Sequence, residues 1–245
     1  MDKSYDLIVS LGGNCSVAMQ LSWRNKRPFS LALDWTFMPD EKPVRFLVKA
    51  FSDRFANFAL KENLEDISDS APATYTSPIY LDHASGFQLP HQFALRSSNP
   101  AWYDRDGPKL RRRVDRIFSE VAARKRVLFI LATPFQYDIC LVHDLAAAIR
   151  VAFPGVDCDL RAMMFDAGKD EELRLEDCEI MKIKRPVHRY DLYQTSALWS
   201  FLDDIEVTCC RFPPLKGMNR LCYKIWKSLG KKVKRCGVKT NFVFK

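Results

Sequence analysis

Residues 126–132, Arg-Val-Leu-Phe-Ile-Leu-Ala, form a continuous apolar run behind a single basic residue. A strand with one face in water alternates apolar and polar side chains, so an unbroken run belongs to a sheet covered on both faces, as parallel strands are. An amphipathic helix is predicted just before it, over 109–123, with Leu110, Val114, Ile117, Phe118 and Val121 on one face. A helix over 138–152 follows, then a Pro154-Gly155 break, a strand at 159–165 and another strand candidate at 178–184. At the start of the chain the same pattern occurs, with an apolar strand at 5–10 and a helix at 16–23. This alternation predicts an α/β fold, a mostly parallel sheet with flanking helices.

Two further regions complete the reading. From Glu41 to Phe58 the residues Phe46, Leu47, Ala50, Phe51, Phe55 and Phe58 fall on one helical stripe, which predicts a core helix. Between Lys61 and Asn99 the chain is rich in Ser, Pro, Asp and Asn, with β-prone pieces at 75–81 and 86–95. A length of 245 residues suits one domain with an appendage. We place an α/β domain at 1–206 and a basic segment at 207–245, because 11 Lys/Arg and no Asp/Glu lie from Val207 onward while the rest carries a net charge of −3. The net charge of +8 therefore belongs to the C-terminal segment.

No run approaches the roughly 18 apolar residues of a membrane-spanning helix. The first residues lack a basic stretch followed by a long apolar one, so a cytoplasmic protein is expected. Eight cysteines, at 15, 140, 158, 178, 209, 210, 222 and 236, are then expected as reduced thiols. They include no CxxC and no cysteine pair with histidines at finger-like spacing, so no metal site and no cofactor are expected.

Cys15 stands where the first strand breaks at Gly12-Gly13 and the first helix begins. Active sites of open parallel sheets collect beyond the carboxyl ends of the strands. A thiol at a helix N-terminus feels the positive end of the helix dipole, which favours thiolate. Gly12 and Gly13 permit a tight turn, and Asn14 either caps the helix or donates its amide to a developing negative charge. GGNCSVA is neither a dinucleotide fingerprint nor a phosphate-binding loop. A cysteine nucleophile needs a base. His83 lies in a polar stretch, His143 within a helix and His188 in a basic loop, which leaves His91, in Pro90-His91-Gln92-Phe93, as the best partner. Asp34-Trp35 offer an orienting carboxylate and an apolar wall, or equally a cap and a packed ring.

The stretch Ser10-Leu11-Gly12-Gly13-Asn14-Cys15, with Arg27-Pro28-Phe29-Ser30-Leu31-Ala32-Leu33-Asp34-Trp35 after it, resembles the bacterial family labelled putative papain-like cysteine peptidases. Members of that family carry a Ser-Leu-Gly-x-Asn-Cys segment, a Pro-Phe-Asp-Trp-like loop, a His-Asp-Phe element, an Arg-Arg-x-x-Arg-Phe helix and a Leu-Phe strand. The later elements have counterparts in His91-Gln92-Phe93, in Arg112-Arg113-Val114-Asp115-Arg116-Ile117-Phe118 and in Leu128-Phe129, so the similarity spans roughly 5–165. The resemblance implies Cys15 as nucleophile, His91 as general base, and Asn14 and Asp34 as supporting groups. Gln92 stands where the family has Asp, and Leu31-Ala32-Leu33 precede Asp34 where it has Pro-Phe. The resemblance also implies a setting in surface-polysaccharide biosynthesis.

Gly12, Gly13 and Trp35 are candidate substrate contacts, as are Arg112, Arg113 and Arg116, since guanidinium forks suit phosphate or sugar carboxylate; Arg111 shares that helix. In the basic segment Leu221, Ile225, Trp226 and Leu229 recur at helical spacing among lysines, a pattern suited to an anionic membrane surface at the inner face of the membrane. No nucleic-acid module accompanies the charge, so no nucleic-acid partner is expected. The leading expectation is a hydrolase or acyltransferase acting on a small-molecule, glycan or peptide substrate. The other is a non-catalytic accessory protein that binds a glycan or a partner at the membrane.

Overall fold

Strands and helices alternate as the apolar pattern requires. A computed structural model describes residues 4–70, 77–133, 137–166, 171–174, 178–184 and 196–208. In chain order its elements are β1 (Ser4–Tyr5), β2 (Leu7–Ser10), α1 (Ser16–Trp23), α2 (Lys42–Asp53), β3 (Leu64–Asp66), β4 (Tyr80–Asp82), β5 (Gln88–Leu89) and α3 (Trp102–Ala122). They continue with β6 (Arg126–Thr133), α4 (Ile139–Ala152), β7 (Asp157–Asp166), β8 (Glu171–Arg174), β9 (Cys178–Lys184), a 3-10 helix at Ser196–Leu202 and β10 (Glu206–Val207). The main sheet has the order β2-β6-β7-β9-β8, with β2, β6, β7 and β9 parallel and β8 antiparallel at the edge. β3, β4 and β5 form a small antiparallel sheet, and β1 pairs in parallel with β10.

The continuous apolar character of β6 has the expected cause. Val127, Phe129 and Leu131 face a core shared with α2, α3 and α4, whereas Leu128, Ile130 and Ala132 face a second core built with Val17 and Leu21 of α1 and with Trp199 and Leu202. Leu7 and Val9 of β2 join the first core, and Ile8 the second. Both faces of β2 and of β6 from Val127 onward are dry, so neither strand tolerates a polar alternation.

Two helices depart from their expected bounds. The phenylalanine stripe predicted a helix to Phe58, but α2 stops at Asp53, and Arg54 and Phe55 adopt φ of 54° and 58°. Phe55 and Phe58 are still buried, because the turn folds their rings against Phe46 and Phe51. Arg111 donates to the Phe55 carbonyl at 2.9 Å and to that of Arg54 at 3.1 Å, satisfying the backbone that the turn leaves open. A periodic stripe reports burial, and a compact turn delivers the same burial as a helix. Conversely, α3 begins at Trp102, ahead of the predicted 109, and runs through Pro108. Trp102 stacks on Tyr80 with centroids 4.6 Å apart and packs on Phe93, so tertiary contact carries a first turn that local propensity disfavours.

Cys15, Cys140, Cys158 and Cys178 carry free thiols, while Cys209, Cys210, Cys222 and Cys236 lie outside the described residues. So does His188, and so does the basic segment from 209 onward with Leu221, Ile225, Trp226 and Leu229. Among the described residues no helix is long and apolar enough to cross a membrane.

Gly13 and Gly155 share a positive φ, at 100° and 86°, but only Gly13 is crowded: a β-carbon there would lie 1.7 Å from the Ala132 carbonyl oxygen, whereas at Gly155 it meets nothing within 4 Å. Gly13→Ala is expected to cost more than about 4 kcal/mol, and Gly155→Ala about 1 kcal/mol of conformational strain. Urea unfolding of both variants beside the parent chain checks the contrast.

Candidate functional site

Pairing of β2 with β6 continues past the end of β2: Leu11 donates to the Ile130 carbonyl at 2.8 Å, and the Ala132 N–H donates to the Gly12 carbonyl at 3.3 Å. The chain then crosses the end of β6 at Gly13, where only hydrogen fits, and enters α1 through Asn14 and Cys15. Asn14 is 2 % exposed. Its Oδ1 accepts the Ser16 N–H at 2.8 Å and also the Ser16 hydroxyl, an Asx turn that leads into α1, whose N-cap is Cys15. Because an N–H and a hydroxyl occupy the oxygen, the amide nitrogen is the other terminal atom, and among the described residues this buried Nδ2 has no hydrogen-bond partner. An orphan buried donor costs free energy unless something occupies it.

Cys15 is the N-cap residue of α1, at the strand-to-helix junction that the sequence predicts, but its thiol does not behave as predicted. Burial pushes it up to about 11, with only a backbone hydrogen bond opposing. The expected lowering toward neutrality is overturned: desolvation of a largely buried sulfur outweighs the end of an eight-residue helix, and no charged group contributes to the shift.

The loop between α1 and α2 links this turn to the histidine. Met38 donates to the Gly13 carbonyl at 3.2 Å, and Phe37 exchanges two backbone bonds with Gln88 of β5, at 2.8 and 2.9 Å. His91 follows β5 directly. Trp35 meets the His91 ring edge-on with centroids 6.0 Å apart, while a β-carbon on Gly12 would touch the hydroxyl of the adjacent Thr36. The cysteine turn and the histidine segment are thus gathered around one loop. His91 is exposed overall, yet partial burial holds its imidazole below the usual range, which favours the neutral, basic form at neutral pH.

Asp34 is 1 % exposed and lies under that loop. It accepts the Leu31 N–H at 2.8 Å and pairs with Arg27 at 3.3 Å. Arg27 also lies 5.3 Å over the Trp35 ring and donates to Ser22, Phe29 and Ser30, so one guanidinium ties the loop together. Burial pushes the Asp34 carboxyl up to about 6, opposed by Arg27, the Leu31 N–H and Arg113. Gln92 is buried as well: its Nε2 donates to the Ala32 carbonyl at 3.1 Å and its Oε1 accepts from Arg113 at 2.7 Å.

The arginines of α3 divide by role. Arg111 is committed to the turn after α2, Arg112 is exposed, and Arg116 donates to the Ser30 carbonyl at 3.1 Å and lies over Phe29. Arg113 alone adjoins both Gln92 and the field of Asp34. Gly12 and Gly13 are buried, with the protein's own atoms filling the space their side chains would need. His83 pairs with Glu65 at 2.7 Å on the surface, and His143 is exposed on α4. Sequence reading passed over Arg27; its place seven residues before an acid in a Pro-containing loop was the one available signal.

These features define an α/β protein with a candidate thiol site at the carboxyl end of β2. The family model for putative papain-like cysteine peptidases matches residues 6–168, and the chain belongs to that family. Comparison with curated proteins and with solved structures finds no match.

The raised Asp34 carboxyl has a signed consequence. An ordinary carboxyl ionises near pH 4, so between about pH 4 and 6 the folded state holds this proton more tightly than the unfolded chain. Stability from Asp34 is thus full below pH 4 and lost as pH rises through 6, by about 3 kcal/mol. Urea midpoints of the parent chain and Asp34→Asn, compared across pH 4 to 7, should show the parent losing ground by that order.

Proposed function

We propose that this protein is a cysteine-dependent hydrolase or acyltransferase in which Cys15 attacks an acyl carbonyl with His91 as general base. The observation that carries the reading is the buried, unpartnered Asn14 Nδ2 one residue before Cys15. The turn into α1 uses only the oxygen of that amide, whereas an oxyanion needs a donor in a dry place.

The thiol is neutral at rest, so attack is coupled to proton removal. His91, held in its neutral form, takes the Cys15 proton as sulfur forms a bond to the carbonyl carbon, and the carbonyl π pair moves to oxygen. Asn14 Nδ2–H donates to that oxyanion. Collapse expels the leaving amine or alkoxide, to which His91 returns the proton, and leaves a thioester on Cys15. Water resolves it in hydrolysis and an alcohol or amine in acyl transfer. Asp34 serves as a positioning residue: with Arg27 it fixes the loop whose Trp35 supports the His91 ring. Gln92 stands where the family motif carries an Asp after its histidine, and we assign the orienting role of that acid to Asp34 instead. On the family resemblance we assign the substrate to the acylated glycans of bacterial surface-polysaccharide biosynthesis, handled in the cytoplasm, with the basic segment as the contact to an anionic membrane face.

Mass spectrometry after exposure to an activated acyl ester is expected to find acyl on Cys15, with none on the Cys15→Ala chain. Acylation equally distributed over Cys140 and Cys15 would reject the site. Asn14→Asp keeps the oxygen that accepts the Ser16 N–H and removes the donor, and it should lower the acylation rate constant about 100-fold with little change in KM. A loss confined to KM would instead mark Asn14 as a binding group.

A further inference from the structure

Beside His91 lies a cavity of about 270 Å³ lined by Ser77, His91, Gln92, Phe93, Ala94, Asp106, Lys109 and Arg113. Its charges are unevenly committed. Asp106 accepts the Ala94 N–H at 3.0 Å and pairs with Lys109 at 2.6 Å, so acid and ammonium cancel at the rim. Among the described residues, Arg113 has a single hydrogen bond, to the neutral Gln92 amide. The same side chain lines the cavity. Asp34 and Asp106 attract the Arg113 charge while Arg116 and Arg27 oppose it, but Asp34 already pairs with Arg27 and Asp106 with Lys109. The lining therefore carries one uncompensated positive charge, on a planar fork held by Gln92.

We propose that this cavity is an anion subsite that recognises a carboxylate on the ligand, with Arg113 as its principal donor and Gln92 as the residue that leaves Arg113 available. A planar monoanion matches both the guanidinium fork and the net charge of the lining. A phosphate dianion brings a second charge toward Asp106. The identity of residue 92 sets this preference: a carboxylate there would pair with Arg113, whereas the amide orients it without neutralising it. The inference deepens the acyl-transfer reading by naming the substrate class, a carboxylate-bearing acyl compound seated next to His91, and it rests on that reading only for the direction of catalysis.

The test reads binding alone, on the full chain carrying Cys15→Ala, so it is independent of turnover. Isothermal titration calorimetry is used to titrate N-acetylglutamate, glucuronate and inorganic phosphate. At least one carboxylate is expected to saturate, with phosphate at least about fivefold weaker. Arg113→Gln should weaken carboxylate binding at least about tenfold, and Lys109→Gln should weaken it through the Asp106 charge it releases. Asp106→Asn should tighten it. Lys109 and Asp106 sit at the rim of the cavity, so these variants keep the test decisive if Arg113→Gln fails to fold. Absence of saturation by both carboxylates, tighter binding of phosphate, or affinities indifferent to both Lys109→Gln and Asp106→Asn overturns the subsite. Carboxylate binding without any acylation of Cys15 in the parent chain leaves the subsite standing and rejects the acyl-transfer reading.

Discussion

The passage of Gly13 over the end of β6 is the contact on which the site depends. Backbone pairing between β2 and β6 runs on through Leu11 and Gly12 until the Gly13 α-carbon lies against the Ala132 carbonyl. No side chain is possible there, and the close approach sets where Asn14 and Cys15 emerge and how α1 leaves the sheet. It also presents the Gly13 carbonyl to Met38, so the loop that carries Asp34 and Trp35 is registered against the same turn. A sub-ångström tolerance in one backbone crossing thus propagates into the placement of a thiol, an amide donor and an aromatic wall.

Around this turn the protein separates two kinds of polar group. One is fully used: Arg27 with Asp34 and the hydroxyls of Ser22 and Ser30, Arg111 with the carbonyls of the turn after α2, and Arg116 with Ser30. These are structural, since each guanidinium meets acceptors that the fold would otherwise leave open. The other kind is left incomplete. Asn14 Nδ2 is buried with nothing to donate to, and Arg113 spends one donor on a neutral amide. Incomplete polar groups are costly in a core and useful in a site, because the missing partner is a position for a ligand.

Legibility differed by the range of the interaction involved. β6 and α4 lie where hydrophobic pattern places them, since a strand dry on both faces and a helix with one apolar stripe announce themselves locally. The end of α2 and the start of α3 were not readable, because each is decided by distant partners: the aromatic cluster that receives Phe55 and Phe58, and the Tyr80 ring that receives Trp102. In the site, the position of Cys15 at a strand-to-helix junction followed from composition alone. Its protonation did not, because a helix terminus is a local feature whereas the burial that raises the thiol comes from the whole surroundings.

What residue order settles here is chemistry and sequence of elements: an α/β alternation, a cysteine after two glycines, an acid and a tryptophan in a Pro-containing loop, and a row of arginines on one helix. Which arginine is free, which is a staple, and that Gln92 rather than a carboxylate holds Arg113 are properties of three-dimensional neighbours. The reason is physical. Hydrophobic periodicity is written in steps of two to four residues, whereas the satisfaction of a buried charge depends on groups brought together across tens of residues, such as Arg113 with Gln92 and Arg116 with Ser30.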